Sequence, residues 1–307
     1  MCYSAQIDSH IRRLMREEGV TIEYEEAERI FLRRLADSRI RIPRAFEQQF
    51  LEPQNDAEAR IKGWIEQYRA ETENKLTQEL FKQRKRLSDA ERALQTKETK
   101  KAREDVRIAS TKIEANRQRL SRLRAADIDV EDERIFPFWY APIMVQQDGR
   151  KVLKLARYHL RQKNAPEFID RKYPGLYNAR RDNLEKFWRN EFGHSHALMV
   201  VTSFFENVER DGKNVVLHFN PQPRDRMLVA CLYSEWTSPS EGEMVSFAAV
   251  TDDPPPEVAA AGHDRCIVNL QPQNVERWLT PEGRTSAELQ AILDEKQRPY
   301  YEHAIAA

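Results

Sequence analysis

The sequence predicts an α+β protein. One domain of many short, mostly antiparallel strands with few helices is interrupted by a long helical, coiled-coil hairpin. Three observations predict this. Between Trp64 and Ile135 there is no Gly and no Pro, and Glu, Lys, Arg, Gln and Ala dominate. In that stretch Leu80, Leu87 and Leu94 recur at seven, as do Val106, Ile113 and Leu120, the repeat of a coiled-coil seam. After Phe136 the texture becomes that of strands, with apolar, β-branched and aromatic runs separated by turn residues.

Each element follows in order. From Asp8 to Ile42 apolar residues fall at helical spacings (Ile11, Leu14, Met15, Ile30, Phe31, Leu35), with a break at Gly19. Leu76 and Leu123 add second seam positions to the two heptad ladders, which are out of register with each other. Two arms around a tip near Gln95–Lys101 fit an antiparallel hairpin. A capping box from Ser88 to Glu91 would start a helix earlier, and one unbroken helix is the third arrangement open. The strand candidates are HALMVVTSFF, NVVLHF, RMLVACLY, MVSFAAVT and RCIVNL. Asp211-Gly212 supplies a hairpin turn between the first two. PQNVERWL reads as a short helix, and Pro254, Pro255 and Pro256 as a stiff loop. The expected organisation is residues 1–55 and 134–285 as one domain, 56–133 as a helical insertion, and 286–307 as a C-terminal tail.

Composition narrows the class. Lys+Arg and Asp+Glu are equal at 50 each, so total charge points to no partner. No apolar run reaches the roughly 18 residues of a membrane-spanning helix, and no secretory leader is visible. Cys2, Cys231 and Cys266 lack CxxC spacing, which argues against a disulfide framework or a zinc site. The expectation is a cytoplasmic protein, nucleoid-associated in a prokaryote or phage, with no metal and no cofactor.

Local charge says more. From Arg150 to Glu191 twelve basic residues, Arg157, Arg180, Arg181 and Lys186 among them, face five acidic ones. Tyr158, Tyr173, Tyr177, Phe187 and Trp188 are interleaved. Cations that track phosphates and rings that stack on bases suit single-stranded nucleic acid. A mixed, solvated surface over buried aromatics is the plainer alternative.

The start of the chain, MCYSAQ, carries distinct chemistry. With Met1 removed, Cys2 presents an amine and a thiol on adjacent carbons. Such a 1,2-aminothiol condenses with an aldehyde to an imine, which the thiol closes to a thiazolidine. MC, YNARRD (Tyr177–Asp182), SFFENVE (Ser203–Glu209) and GHDRCIV (Gly262–Val268) stand in that order, with FPFWYAP before the last three. Together they resemble the SOS response-associated peptidase (SRAP) family. The likeness covers the N-terminal helix and about Phe136 to Leu279, and leaves out the insertion and the tail.

The resemblance implies an autoproteolytic peptidase that removes Met1, with lyase-like character. It would crosslink the ring-opened aldehyde of an abasic site in single-stranded DNA and so shield the lesion. It implies Cys2 as nucleophile, with Asn178, Glu206 and His263 around it and Arg180 on a phosphate. Trp139, Arg157, Arg181, Lys186 and Arg265 are the further candidates for DNA contact. Glu206 suits proton transfer if burial keeps it near neutrality, His263 suits it as well, and Asn178 can orient without titrating.

Three departures from the family's pattern point to a divergent branch. Asp182 stands where Glu is usual, Cys266-Ile267 where Met-Pro is usual, and Tyr3 where Gly is common. Two other readings remain open at this stage. One is a cysteine hydrolase acting through Cys2 or Cys266 with His263. The other is a non-enzymatic scaffold in which the coiled coil binds a partner or self-associates and the SRAP-like domain is degenerate.

Overall fold

The computed structural model describes residues 3–8, 10–239 and 242–306. The chain opens with strand β1 (Ser4–Ile7), helix α1 (Ile11–Glu18), strand β2 (Thr21–Ile22), and helices α2 (Tyr24–Ala36) and α3 (Arg44–Gln48). Two long helices follow, α4 (Asp56–Thr96) and α5 (Lys100–Arg124). Then come β3 (Arg134–Ile135), β4 (Tyr140–Gln147), β5 (Arg150–Tyr158), α6 (Ile169–Lys172), β6 (Asn178–Arg180) and β7 (His196–Arg210). The chain continues through β8 (Lys213–Gln222), β9 (Met227–Ser238), β10 (Gly242–Asp252), α7 (Pro256–Ala260) and β11 (Cys266–Ile267). It ends with α8 (Val275–Leu279), α9 (Ser286–Asp294) and β12 (Tyr300–Ile305).

The sheet closes on itself. β10 pairs with β5, β5 with β4, β4 with β7, β7 with β9, and β9 with β10, a closed ring in which only the β10–β5 contact is parallel. Closure removes the unpaired edges that an open sheet would leave. The 15-residue β7 outruns this ring. Its first half pairs with β9, and its second half, from Ser203 on, lies between β1 and β8. β3 then adds to β1, and β12 to β8. Glu206 sits on this second half, and β1, with Tyr3 just before it, lies beside it.

Turn chemistry sets the registers. Asp148 and Gly149 (φ 49° and 74°) join β4 to β5, and Asp211 and Gly212 (φ 52° and 70°) join β7 to β8. Both pairs take positive φ at two central positions, the hairpin geometry that Asp-Gly favours.

The helical segment is an antiparallel hairpin with its tip at Lys97–Thr99, so the unbroken helix and the earlier start at Ser88 are both excluded. Asn55 caps α4 by accepting from the Glu58 amide, and Thr99 caps α5 by accepting from the Ala102 amide. Leu80, Ala90, Ala102, Ala109, Asn116 and Leu120 form its buried seam. Leu87, Leu94, Val106 and Ile113 are only half-buried. The alanines let the helices approach closely, and with only two helices the larger ladder residues keep one side open to water.

At its base α4 joins the domain core, where Ile61 and Ile65 lie with Phe31, Phe46 and Phe50. A buried ion pair fixes the joint. Arg34 donates to Glu47 Oε1, Arg69 donates to Oε2 at 2.8 Å, and the Arg34 guanidinium lies 4.0 Å from the Tyr68 ring centroid.

Two segments differ from expectation. Within the stretch read as helical, Gly19 (φ 62°) ends α1, and the β-branched Thr21-Ile22 pairs in parallel with Val152-Leu153. The segment read as a tail folds into α9 and β12. Thr285 and Glu288 form a capping box for α9, and Tyr301 is buried edge-on against Phe204.

Candidate functional site

Side chains alternate along β7, so Phe204, Glu206 and Val208 share one face. Phe204 stacks on its cross-strand partner Phe219, and Val208 approaches Gly262. Gly262 has φ 99°, a conformation that L side chains rarely adopt, and it leads the chain into His263. Between these neighbours Glu206 is fully buried.

One carboxylate oxygen of Glu206 gathers the site. Oε2 accepts from the backbone N–H of Tyr3 at 3.3 Å. His263 Nε2 lies 3.3 Å from the same oxygen. The Tyr3 amide is held there because it also lies 3.2 Å from the Phe205 carbonyl, extending the β1–β7 ladder. His263 Nδ1 in turn lies 2.9 Å from the Arg265 carbonyl oxygen, which orients the ring.

Burial drives both partners toward their neutral forms. Desolvation pushes Glu206 well above the usual carboxyl range and lowers His263 below the usual imidazole value. A neutral carboxyl beside a neutral imidazole holds one exchangeable proton between them. The pair can therefore donate and accept without either member being an isolated buried ion.

Asn178 is buried on β6, opposite Ala249 of β10. β11, which follows the His263 loop, pairs with β10 at Thr251 and Asp252, so β6 and β11 both meet the same end of that strand. Cys2 lies outside the described residues. Tyr3, next to it in the chain, lies at Glu206.

The DNA-contact candidates fall into three groups. Arg157 is buried and donates from Nη1 and Nη2 to Asp170 (2.8 and 3.2 Å), which Arg161 also engages. Arg181 is held by Asp252, Asp294 and Gln290. These two are structural cations. Arg180 is half-exposed and donates from Nε and Nη2 to Asp182 (3.0 and 2.7 Å). Arg265 is largely covered, and its Nη2 lies 3.5 Å from Asp264. Lys186 is exposed, and Trp139 is half-buried against Phe136.

The structure adds a residue that spacing did not single out. Arg134 is buried, and its Nε donates to Ser4 Oγ at 2.9 Å. Its guanidinium lies over Phe205 (3.7 Å) and Phe136 (4.7 Å), and Phe136 meets Tyr3 edge-on. Arg134 thus ties β1 to the aromatic layer behind Glu206. Its signal was its place two residues before FPFWYAP. Among the described residues no cluster of three or more His, Cys, Asp or Glu side chains is arranged to hold a metal ion. No described helix is long and apolar enough to cross a membrane.

A family model described as SOS response associated peptidase (SRAP) matches residues 81–305, well over half of the chain. The chain belongs to the SRAP family. The match begins within α4 and runs into β12, so it spans Asn178, Glu206 and His263. Membership ties the protein to the SOS response to DNA damage, to DNA, and to a family named for peptidase activity. No curated protein matches the chain.

Among solved structures, a protein from Bacteroides thetaiotaomicron is 17% identical (TM-score 0.49, covering 57% of this chain and 78% of that one). One from Bordetella bronchiseptica is 17% identical (TM-score 0.48, 60% and 90%). A phage-related protein from the same organism is 18% identical (TM-score 0.44, 60% and 85%). The SRAP match alone carries the assignment.

Proposed function

We propose that this SRAP protein removes its own Met1 and then uses Cys2 to form a covalent adduct with abasic sites in single-stranded DNA. The observation that carries this reading is the position of Tyr3. The residue that follows Cys2 has its amide 3.3 Å from the Glu206 carboxylate, and that carboxylate lies 3.3 Å from His263.

The chemistry balances as a condensation. Hydrolysis of the Met1–Cys2 bond consumes one water and frees the α-amine. An abasic sugar is mostly a closed hemiacetal, and proton transfer opens it to the aldehyde. The α-amine, with a pKa of about 8, is partly unprotonated near neutrality and adds to the carbonyl carbon. Loss of water gives the imine. The thiol then adds to the imine carbon, its proton passes to nitrogen, and a thiazolidine results. Glu206 and His263 supply and remove the protons at ring opening and dehydration. Asn178 orients the amine and the sugar oxygen. Arg180, its Nε and Nη2 held by Asp182, presents its remaining N–H groups to a phosphate.

The strand flanking the lesion has a matching surface. Phe168, Tyr173 and Phe187 are exposed, and Tyr173 and Phe187 meet edge-on at 6.3 Å. Lys163, Arg171, Lys172, Lys186 and Arg189 are exposed around them. Of the five acids in this stretch, Asp170 is paired with Arg157 and Arg161 and Asp182 with Arg180, while Glu167, Glu185 and Glu191 accept from Ser238, Gln290 and Gln162. Rings and free cations together favour single-stranded nucleic acid.

Cys266 does not support the hydrolase alternative. It is buried, and desolvation raises its thiol pKa, which disfavours the thiolate a nucleophile needs.

The test is trapping on a single-stranded oligonucleotide carrying one abasic site. The wild-type chain should form a denaturation-resistant adduct and Cys2→Ala none. An adduct formed by Cys2→Ala overturns the reading.

A further inference from the structure

The helical hairpin lies outside the chemistry described above, yet it is the most extended feature of the chain. A rise of about 1.5 Å per residue makes the 25-residue α5 roughly 37 Å long. Its root is tied to the site. From α5 the chain reaches β3, which pairs with β1, and Arg44 holds this link by donating to Asp132 and to the Ala125 carbonyl.

Charge is uneven along the hairpin. In residues 79–109 ten basic side chains face six acidic ones, a surplus of four in a chain whose total is zero. Ion pairing takes up most of the acids: Arg86 with Asp105, Arg92 with Asp89, Arg103 with Glu98, and Arg107 with Glu104. Lys82, Arg84, Lys85, Lys97, Lys100 and Lys101 are left, all exposed, and among the described residues none has a carboxylate within ion-pair distance. From Lys82 on α4 to Lys97 at the tip the arm extends roughly 22 Å. Phe81, 65% exposed, lies one turn before Arg84 and Lys85 and so shares their face.

We propose that the distal half of the hairpin is a second DNA contact, an arm whose six free cations bind backbone phosphates several nucleotides away from the lesion held at Glu206 and His263. The occupant is DNA flanking the abasic site, so this inference rests on the function proposed above. Two groups of three free cations, Lys82–Lys85 and Lys97–Lys101, bracket about 22 Å of the arm, the span of roughly six stacked nucleotides at 3.4 Å each. An aromatic side chain on the same face suits nucleic acid better than an acidic protein surface. From its root the arm reaches about ten nucleotides along a strand. The arm then adds affinity without sequence preference, and only on substrates long enough to meet it.

The experiment compares the wild type with a variant carrying Lys82→Gln, Arg84→Gln, Lys85→Gln, Lys97→Gln, Lys100→Gln and Lys101→Gln. Binding is measured over a salt series on an undamaged 30-nucleotide strand and on an 8-nucleotide strand, and adduct formation is measured separately on abasic versions of both. On the long strand the variant's slope of log K against log salt should be shallower by about 4, and its affinity more than tenfold lower at low salt. On the short strand the two proteins should be alike, and the adduct rate of bound protein should not change. A charge-keeping variant with the five lysines changed to arginine should bind as the wild type does, and circular dichroism should show unchanged helicity in both.

Equal slopes on the long strand overturn the proposal. So does binding of polyglutamate as tight as that of DNA, which would assign the arm to an acidic protein, or a binding loss that tracks a dimer-to-monomer change. If the wild type forms no adduct on any abasic strand but the slopes still differ, the arm stands and the proposed chemistry falls.

Discussion

The Glu206–His263 site and the helical hairpin both set carboxylates against nitrogen groups, in opposite settings. At the site a carboxylate, an imidazole and a backbone amide meet with no water-facing surface on the carboxylate, and desolvation decides which form each group takes. Along the hairpin, carboxylates and guanidinium groups also meet at hydrogen-bond distance, but in contact with water. Arg124 and Glu73 are 60% and 40% exposed, so water and salt screen their attraction. The lesson is that a contact's length says little about its importance. Burial takes one glutamate out of water and raises its pKa, while the other sits in solvent on the hairpin surface.

Perturbing the site should have the largest effect. Glu206→Gln keeps shape and hydrogen-bonding capacity but removes the proton relay, and should slow adduct formation by about 10²–10⁴-fold, read by single-turnover trapping. Its pH profile sharpens the point. Because Glu206 is raised, its acid form is lost as pH rises through its folded value, so the wild-type rate should fall at high pH, and the variant should lack that limb. A variant with wild-type rate would remove Glu206 from the chemistry.

Next in size is the joint between the two regions. Glu47→Ala leaves Arg34 buried without its partner and should cost about 3–5 kcal/mol in chemical denaturation. A loss below about 1 kcal/mol would show that the joint behaves like the exposed hairpin pairs.

The barrel also carries a titratable group set by burial. His196 accepts from the Gly193 N–H at Nε2 (2.8 Å), and its Nδ1 lies 2.9 Å from the Trp278 carbonyl, an arrangement that fits only the neutral ring. Desolvation lowers its pKa from 6.5 to about 3. A depressed histidine contributes stability that is present above 6.5 and is lost as pH falls toward 3. The free energy of unfolding should therefore drop by up to about 1.4 kcal/mol per pH unit across that window. His196→Gln should flatten this dependence, and an unchanged slope would assign it to other groups.

The smallest effect belongs to the hairpin surface. Arg124→Ala should change stability by about 1 kcal/mol or less, and high salt should erase the difference.

Local features of the fold were legible wherever one residue type has one conformational meaning. Asp211-Gly212 marked the β7–β8 turn because both positions need positive φ, and the Gly- and Pro-free stretch marked the hairpin. β12 was not legible, because YYEHAI has no strong alternation and becomes a strand only by pairing with β8. β2 was hidden for the same reason, since two residues acquire strand character only beside β5.

Glu206 and His263 could be singled out only through short motifs that resemble a family. Nothing in spacing alone says that Gly262 turns His263 toward a strand more than fifty residues earlier. Arg134 escaped notice because a charged residue at the end of a charge-rich stretch looks like surface. The structure buries it under two aromatic rings.

The most direct measurement is the intact mass of the purified protein before and after incubation with an abasic single-stranded oligonucleotide. The account predicts a chain that begins at Cys2, then a single new species heavier by the oligonucleotide less one water. A chain that keeps Met1, or one that starts at Cys2 and gains no mass, would contradict it.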